Sequence, residues 1–210
     1  MQQIFNILSR ALSIALHPLF IPTYGMMLYM AAMLVRTPSL PSLYINIGII
    51  TTFILTALIP IILMLILWKR GSISSLHIDN ATERTTPYIY TLICFGFWCY
   101  FIGAILKMPF VWLIVAIGAS LALLAVTIIN HWWKISAHLT ALGGLLGGIC
   151  SISLYYNVLP SSLIIGILIV SLLLMYARLY LNAHTPLQVV CGYILGIVCT
   201  FTPNLIIYYA

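Results

Sequence analysis

Seven nearly continuous apolar runs, at about 11–35, 44–68, 87–106, 109–130, 136–157, 160–181 and 186–209, leave almost no chain outside them. Most are as long as the ~20 residues that a helix needs to cross the ~30 Å hydrocarbon core of a bilayer. Of the 210 residues, 64% are hydrophobic and only Asp79 and Glu83 are acidic. A water-soluble domain of this length cannot bury that much apolar surface, so lipid has to be the solvent. The expected architecture is all-α: a polytopic transmembrane bundle of six to seven spans, one domain over residues 1–210, with no repeat and no second module. Pro18 and Pro22 fall inside the first run and predict a kink, which membrane helices tolerate. Met1-Gln2-Gln3 and Arg10 ahead of an apolar run look superficially like a signal peptide. The run continues too long and shows no small-x-small cleavage site, so it reads as a retained first span.

Eight Lys and Arg give a net charge of +6, with no cluster larger than Lys69-Arg70. That pattern excludes a nucleic-acid patch. It suits basic loops beside anionic headgroups, so the expected partners are the bilayer and an anionic lipid; oligomeric state stays open. All five cysteines lie inside apolar runs without metal spacing and read as buried free thiols.

Span parity sorts the polar residues. If residues 69–86 lie on one face, called A, the third span leaves it and the turn Lys107-Met108-Pro109 lies on face B. The fourth span then returns His131, Lys134 and His138 to face A, and the sixth returns Arg178 and His184. Of the remaining basic residues, Arg10, Lys69, Arg70 and Lys134 fall on face A against Arg36 and Lys107 on face B. The positive-inside rule therefore favours a cytoplasmic face A.

Charged and titratable residues at the ends of apolar spans are functional-site candidates. Arg178 and His184 flank a turn carrying Asn182 and Thr185, with Pro186 suited to the first turn of the last helix. Gln188, four residues after His184, lies one helical turn on and can orient its ring. Ser136 and His138 open the fifth span near Lys134, where a helix N-terminus favours an anion. Arg178, Arg84 and Lys134 can add positive charge around it. Two imidazoles about an oxyanion cradle are the apparatus of phosphoryl transfer through a phosphohistidine. His17 and His131, by contrast, read as headgroup contacts at the interface, and Lys134 beside Trp132 and Trp133 also suits an aromatic belt. Gly143, Gly144, Gly147 and Gly148 read as a helix-packing seam.

Ser136-Ala137-His138 resembles the Pro-Ser-Gly-His element of the type 2 phosphatidic acid phosphatase superfamily, and Ala177-Arg178-x5-His184-x3-Gln188 resembles its Ser-Arg-x5-His-x3-Asp element. The resemblance covers the last third of the chain. It implies His184 as nucleophile, His138 as general acid, Arg178 and Ser136 as phosphate ligands, and a multi-pass protein of the plasma (inner) membrane; such phosphatases usually work on the outer side, against the charge count, so the face of the site stays open. It also implies hydrolysis of a lipid phosphate or prenyl diphosphate without cofactor or metal. Ile135, Ala137 and Gln188 depart from the family pattern. Gln188 accepts a hydrogen bond but cannot balance an imidazolium, so a carboxylate from elsewhere would have to be Glu83 or Asp79. The family's first element, Lys-x6-Arg-Pro, has a partial echo in His77-x6-Arg84-Thr85, with Pro87 displaced by two. The absence of an acidic pair argues against Mg-assisted lipid chemistry. The alternative is a non-catalytic relative that binds or transports an anionic lipid, which Gln188 favours. Bis-histidine haem ligation fits less well, since His138 and His184 sit at span ends with no second pair at membrane depth.

Overall fold

The computed structural model describes residues 2–75, 82–156 and 161–209; His77 and Asp79 lie outside them. The described residues form eight helices and no strand: α1 (Gln2–Ala15), α2 (Ile21–Arg36), α3 (Ser42–Lys69), α4 (Thr85–Ile105), α5 (Phe110–Ile129), α6 (Ala137–Tyr156), α7 (Ser161–Tyr180) and α8 (Pro186–Tyr209). Six of them, α3 to α8, are long and apolar enough to cross a membrane, as a multi-pass membrane protein requires.

The first run is not one kinked span. Pro18 lacks a donor and pushes His17 out of the α region. The helix therefore stops at Ala15, and α2 starts afresh with Pro22 in its first turn. α2 has only 16 residues. It nevertheless runs the length of the bundle beside α6: Ile21 packs on Leu139 near the start of α6, and Arg36 donates to the Tyr156 carbonyl at its end, at 2.6 Å. α1 does not run that length. The Tyr180 hydroxyl donates to the Gln2 carbonyl (3.4 Å), and the Ser13 carbonyl lies 3.2 Å from His138 Nε2, so both ends of α1 meet the same end of the bundle. Its residues suit that position. Ile4, Ile7, Leu8 and Ile14 form an exposed apolar side, Gln3, Asn6 and Arg10 an exposed polar side, and Ser9 and Ser13 face the bundle. This is the pattern of a helix lying in the membrane interface.

Large apolar side chains such as Phe97, Leu172 and Ile194 face outward, whereas Thr52, Thr56, Thr140, Ser151 and Thr200 are buried. Their hydroxyls donate to the carbonyl one turn back, as at Thr56 to Thr52 (2.8 Å) and Thr200 to Gly196 (3.0 Å). Such back-bonding satisfies polar groups where no water can. Pro60 withholds one donor from α3, and the turn before it widens to a π segment, Ile54–Leu58.

The closest helix contact joins α6 to α8. A Cβ on Gly143 would overlap the Tyr193 carbonyl, one on Gly196 the Thr140 carbonyl, and one on Gly192 would stand 2.7 Å from the Ser136 carbonyl. The four glycines pack helices as expected: Gly143, Gly144 and Gly147 meet α8 and Gly148 meets Val115 of α5, while Gly192 and Gly196 of α8 meet α6 and Gly118 of α5 meets Cys199 of α8. Thr200 Oγ1 donates across it to the Gly144 carbonyl (3.0 Å), and Ser151 Oγ to the Thr200 carbonyl (3.3 Å). Gly196→Ala should destabilise the fold by about 1–3 kcal/mol through overpacking. Gly166→Ala, where the new methyl meets nothing within 4 Å, should be neutral. Thermal unfolding of the two variants in detergent checks the contrast.

Candidate active site

α7 and α8 are joined by a turn whose hydrogen bonds explain the Arg-x5-His spacing. Asn182 adopts a left-handed conformation (φ 50°), its N–H bonds the Leu179 carbonyl (2.9 Å), and the Ala183 N–H reaches back to the Arg178 carbonyl (3.1 Å). This is a Schellman stop, which asparagine tolerates at its left-handed position. α8 then opens with a capping box. Gln188 Oε1 accepts from the Thr185 N–H (3.0 Å), and Thr185 Oγ1 accepts from the Gln188 N–H (3.4 Å). His184 is thus held between a fixed helix end and a fixed helix start.

His184 Nδ1 lies 3.3 Å from Gln188 Oε1 and 3.2 Å from the Lys134 carbonyl. Both partners are carbonyl oxygens, so Nδ1 carries the proton and Nε2 keeps a bare lone pair. Burial, then the charges of Arg178 and Arg84, push this imidazole down from 6.5 to about 4, against the pull of its two hydrogen bonds. A neutral imidazole with a bare Nε2 has a lone pair available at neutral pH, the chemical requirement for a nucleophile or a base.

The start of α6 is stitched to α8 by the Ser136 N–H, which donates to the Gln188 carbonyl (3.3 Å). Ser136 is fully buried, and among the described residues its Oγ has no hydrogen-bond partner. His138 follows, within electrostatic reach of Arg178 and His184. Its Nε2 is engaged by the Ser13 carbonyl.

A cavity of about 210 Å³ gathers these groups. Arg84, His138, Arg178 and His184 line its polar end, so face A receives the residues that span parity assigned to it. Ser136 and Lys134 do not border the cavity; Lys134 enters the site through its carbonyl. Arg84 is buried and donates to the Tyr88 hydroxyl, which shares the lining. From Arg84 the cavity continues past Thr91 and Phe95 to Trp98, which is ~20 Å along α4 at 1.5 Å per residue. Its far lining includes Trp112 and Val115 of α5 and Ile149 of α6, all apolar.

Two expectations need correction. Glu83 supplies no carboxylate to His184: it accepts from the N–H (2.7 Å) and hydroxyl (2.9 Å) of Ser74. His17 is not a headgroup contact, because it lines the cavity with its ring 5.4 Å from that of His138. The signal that could have found it was the His17-Pro18 pair, read as a break instead of a kink. His131 stays exposed against Trp132. Among the described residues no group of three His, Cys, Asp or Glu side chains could hold a metal ion.

The chain matches no protein-family model, no curated protein and no solved structure. If Gln188 fixes the tautomer, ¹⁵N NMR of histidine-labelled protein should show His184 protonated at Nδ1. Gln188→Ala should shift it toward a mixture. An Nε2-protonated His184 in the parent would overturn the assignment.

Proposed function

We propose that this protein is a membrane lipid phosphatase, hydrolysing a lipid phosphate or prenyl diphosphate through a phosphohistidine on His184. The observation that carries the reading is the join of two unlike halves in one cavity. Its polar end holds a bare imidazole nitrogen, a second imidazole and two guanidiniums; the rest is an apolar space running along the helices. An anionic headgroup matches the first half and an acyl or prenyl tail the second.

In the proposed reaction, His184 Nε2 forms a bond to phosphorus as the P–O bond to the lipid breaks. His138 Nδ1, bare in the neutral ring, takes the proton of the monoanionic phosphoryl group's own hydroxyl and passes it to the departing oxygen. Arg84 and Arg178 stabilise charge on the remaining phosphoryl oxygens. Water then attacks the phosphohistidine and yields a proton to His138, and the P–N bond breaks to release phosphate. Ser136 and Lys134 serve this reading through their main chains, Ser136 N–H on the Gln188 carbonyl and the Lys134 carbonyl on His184 Nδ1. Gln188 in place of a carboxylate favours a second reading, a relative that binds or moves an anionic lipid without turnover.

Purified protein should release phosphate from a lipid phosphomonoester with chelator present, and His184→Ala should lower turnover by about a thousandfold or more. Equal release by His184→Ala would overturn the mechanism. Binding without release in the parent would favour the second reading. Because His184 stays neutral until about pH 4, the acid limb of kcat/KM should lie near that value and not near 6.5. The sign follows from the chemistry: below that limb the imidazole takes up a proton and loses its attacking lone pair. Gln188→Asp should raise both the limb and the rate.

A further inference from the structure

Three of the helices around the cavity give it the same depth. Its lining runs from Arg84 to Trp98 along α4, from Val126 back to Trp112 along α5, and from Ala137 to Ile149 along α6. At 1.5 Å per residue each stretch is ~20 Å long. Spread over that length, about 210 Å³ leaves ~10 Å² of cross-section for the centres of an occupant's atoms. That admits one chain of methylenes and not two abreast.

The wall suits such a chain. Thr91, Thr140 and Thr200 line it, and each donates its hydroxyl proton to the carbonyl one turn back on its own helix, at 2.8, 3.0 and 3.0 Å. Two buried indoles stand at the far end. Trp98 Nε1–H donates to Thr52 Oγ1 of α3 (2.9 Å), which engages its donor and fixes the ring. Trp112 stacks on Tyr29 of α2 with 4.7 Å between ring centroids. Rings packed and bonded in this way form a floor that resists displacement.

We propose that the cavity selects its lipid by the tail, taking one apolar chain of about a leaflet's depth whose end meets Trp98 and Trp112. The inference rests on the phosphatase reading for the headgroup and adds the substrate class, a single-chain lipid phosphate. One leaflet supplies half of the ~30 Å hydrocarbon core, so an ordinary acyl chain reaches ~15 Å, which the cavity holds once the headgroup is seated. A long polyprenyl chain overruns the floor, and a second acyl chain finds no room. Moving a tail from bilayer to cavity exchanges one apolar medium for another. Length up to the floor therefore changes affinity little, and length beyond it has to fold back or stay outside.

The test uses the full chain in phosphatidylcholine nanodiscs, with n-alkylphosphonates whose carbon–phosphorus bond resists hydrolysis. At equal surface density, octyl and hexadecyl phosphonates should bind within about threefold of each other, and tetracosyl phosphonate about tenfold more weakly. Ala119 lines the cavity near mid-depth, since its neighbour Gly118 meets Thr200, which donates to the Gly144 carbonyl halfway along the α6 lining. Ala119→Phe should weaken hexadecyl phosphonate about tenfold and leave octyl phosphonate bound, which also shows that the variant is folded. If it does not fold, the smaller Ala119→Leu should show the same contrast. Equal binding of all three chain lengths, loss of none of the hexadecyl affinity in a folded Ala119 variant, or no binding of any phosphonate would each overturn the inference. Turnover of alkyl phosphates with no limit of length would remove this inference and leave the phosphatase reading standing. A length limit in binding without turnover of hexadecyl phosphate would do the reverse.

Discussion

The contact of the α6 backbone with the α8 backbone is the constraint on which the site depends. Small residues let helices in lipid approach closely, and close approach lets main-chain groups bond across the interface. Here the Ser136 N–H reaches the Gln188 carbonyl, while Thr200 and Ser151 bridge deeper along the seam. The Lys134 carbonyl, on the α6 side, meets His184 on the α8 side. Separating these helices would part the two histidine segments and withdraw one of the two acceptors that set the His184 tautomer.

The span pattern was legible because lipid leaves little freedom: apolar length sets the helices and parity sets the ends. Arg84, His138, Arg178 and His184 were legible as a group for a similar reason, since polar groups at span ends are costly without a use, and they line one cavity. Two features were not. Hydropathy continues straight through His17-Pro18, so the break into two helices, α1 and α2, is hidden by composition and visible only in proline chemistry. Ser13 could not be found either, because it acts through a main-chain oxygen, and no side-chain motif records the position of a carbonyl. The Thr185–Gln188 capping box is present in the sequence, but Gln188 also stands one helical turn from His184, and the spacing alone does not separate the two roles.

That box changes the meaning of Gln188. An ionised carboxylate at this position would satisfy the same N–H groups and also attract a proton to His184. The amide satisfies them without that attraction, and the charges of Arg178 and Arg84 disfavour an imidazolium at His184.

The junction between α7 and α8 has a thermodynamic consequence of its own. A Schellman stop runs directly into a capping box, and His184 between them is tethered by its ring as well as by its chain. The rotational freedom of that imidazole was surrendered when the chain folded, and little is left to lose when an anion arrives. Under the proposed reading, docking proceeds as capture by a rigid receptor, with the entropic cost met far upstream of any encounter.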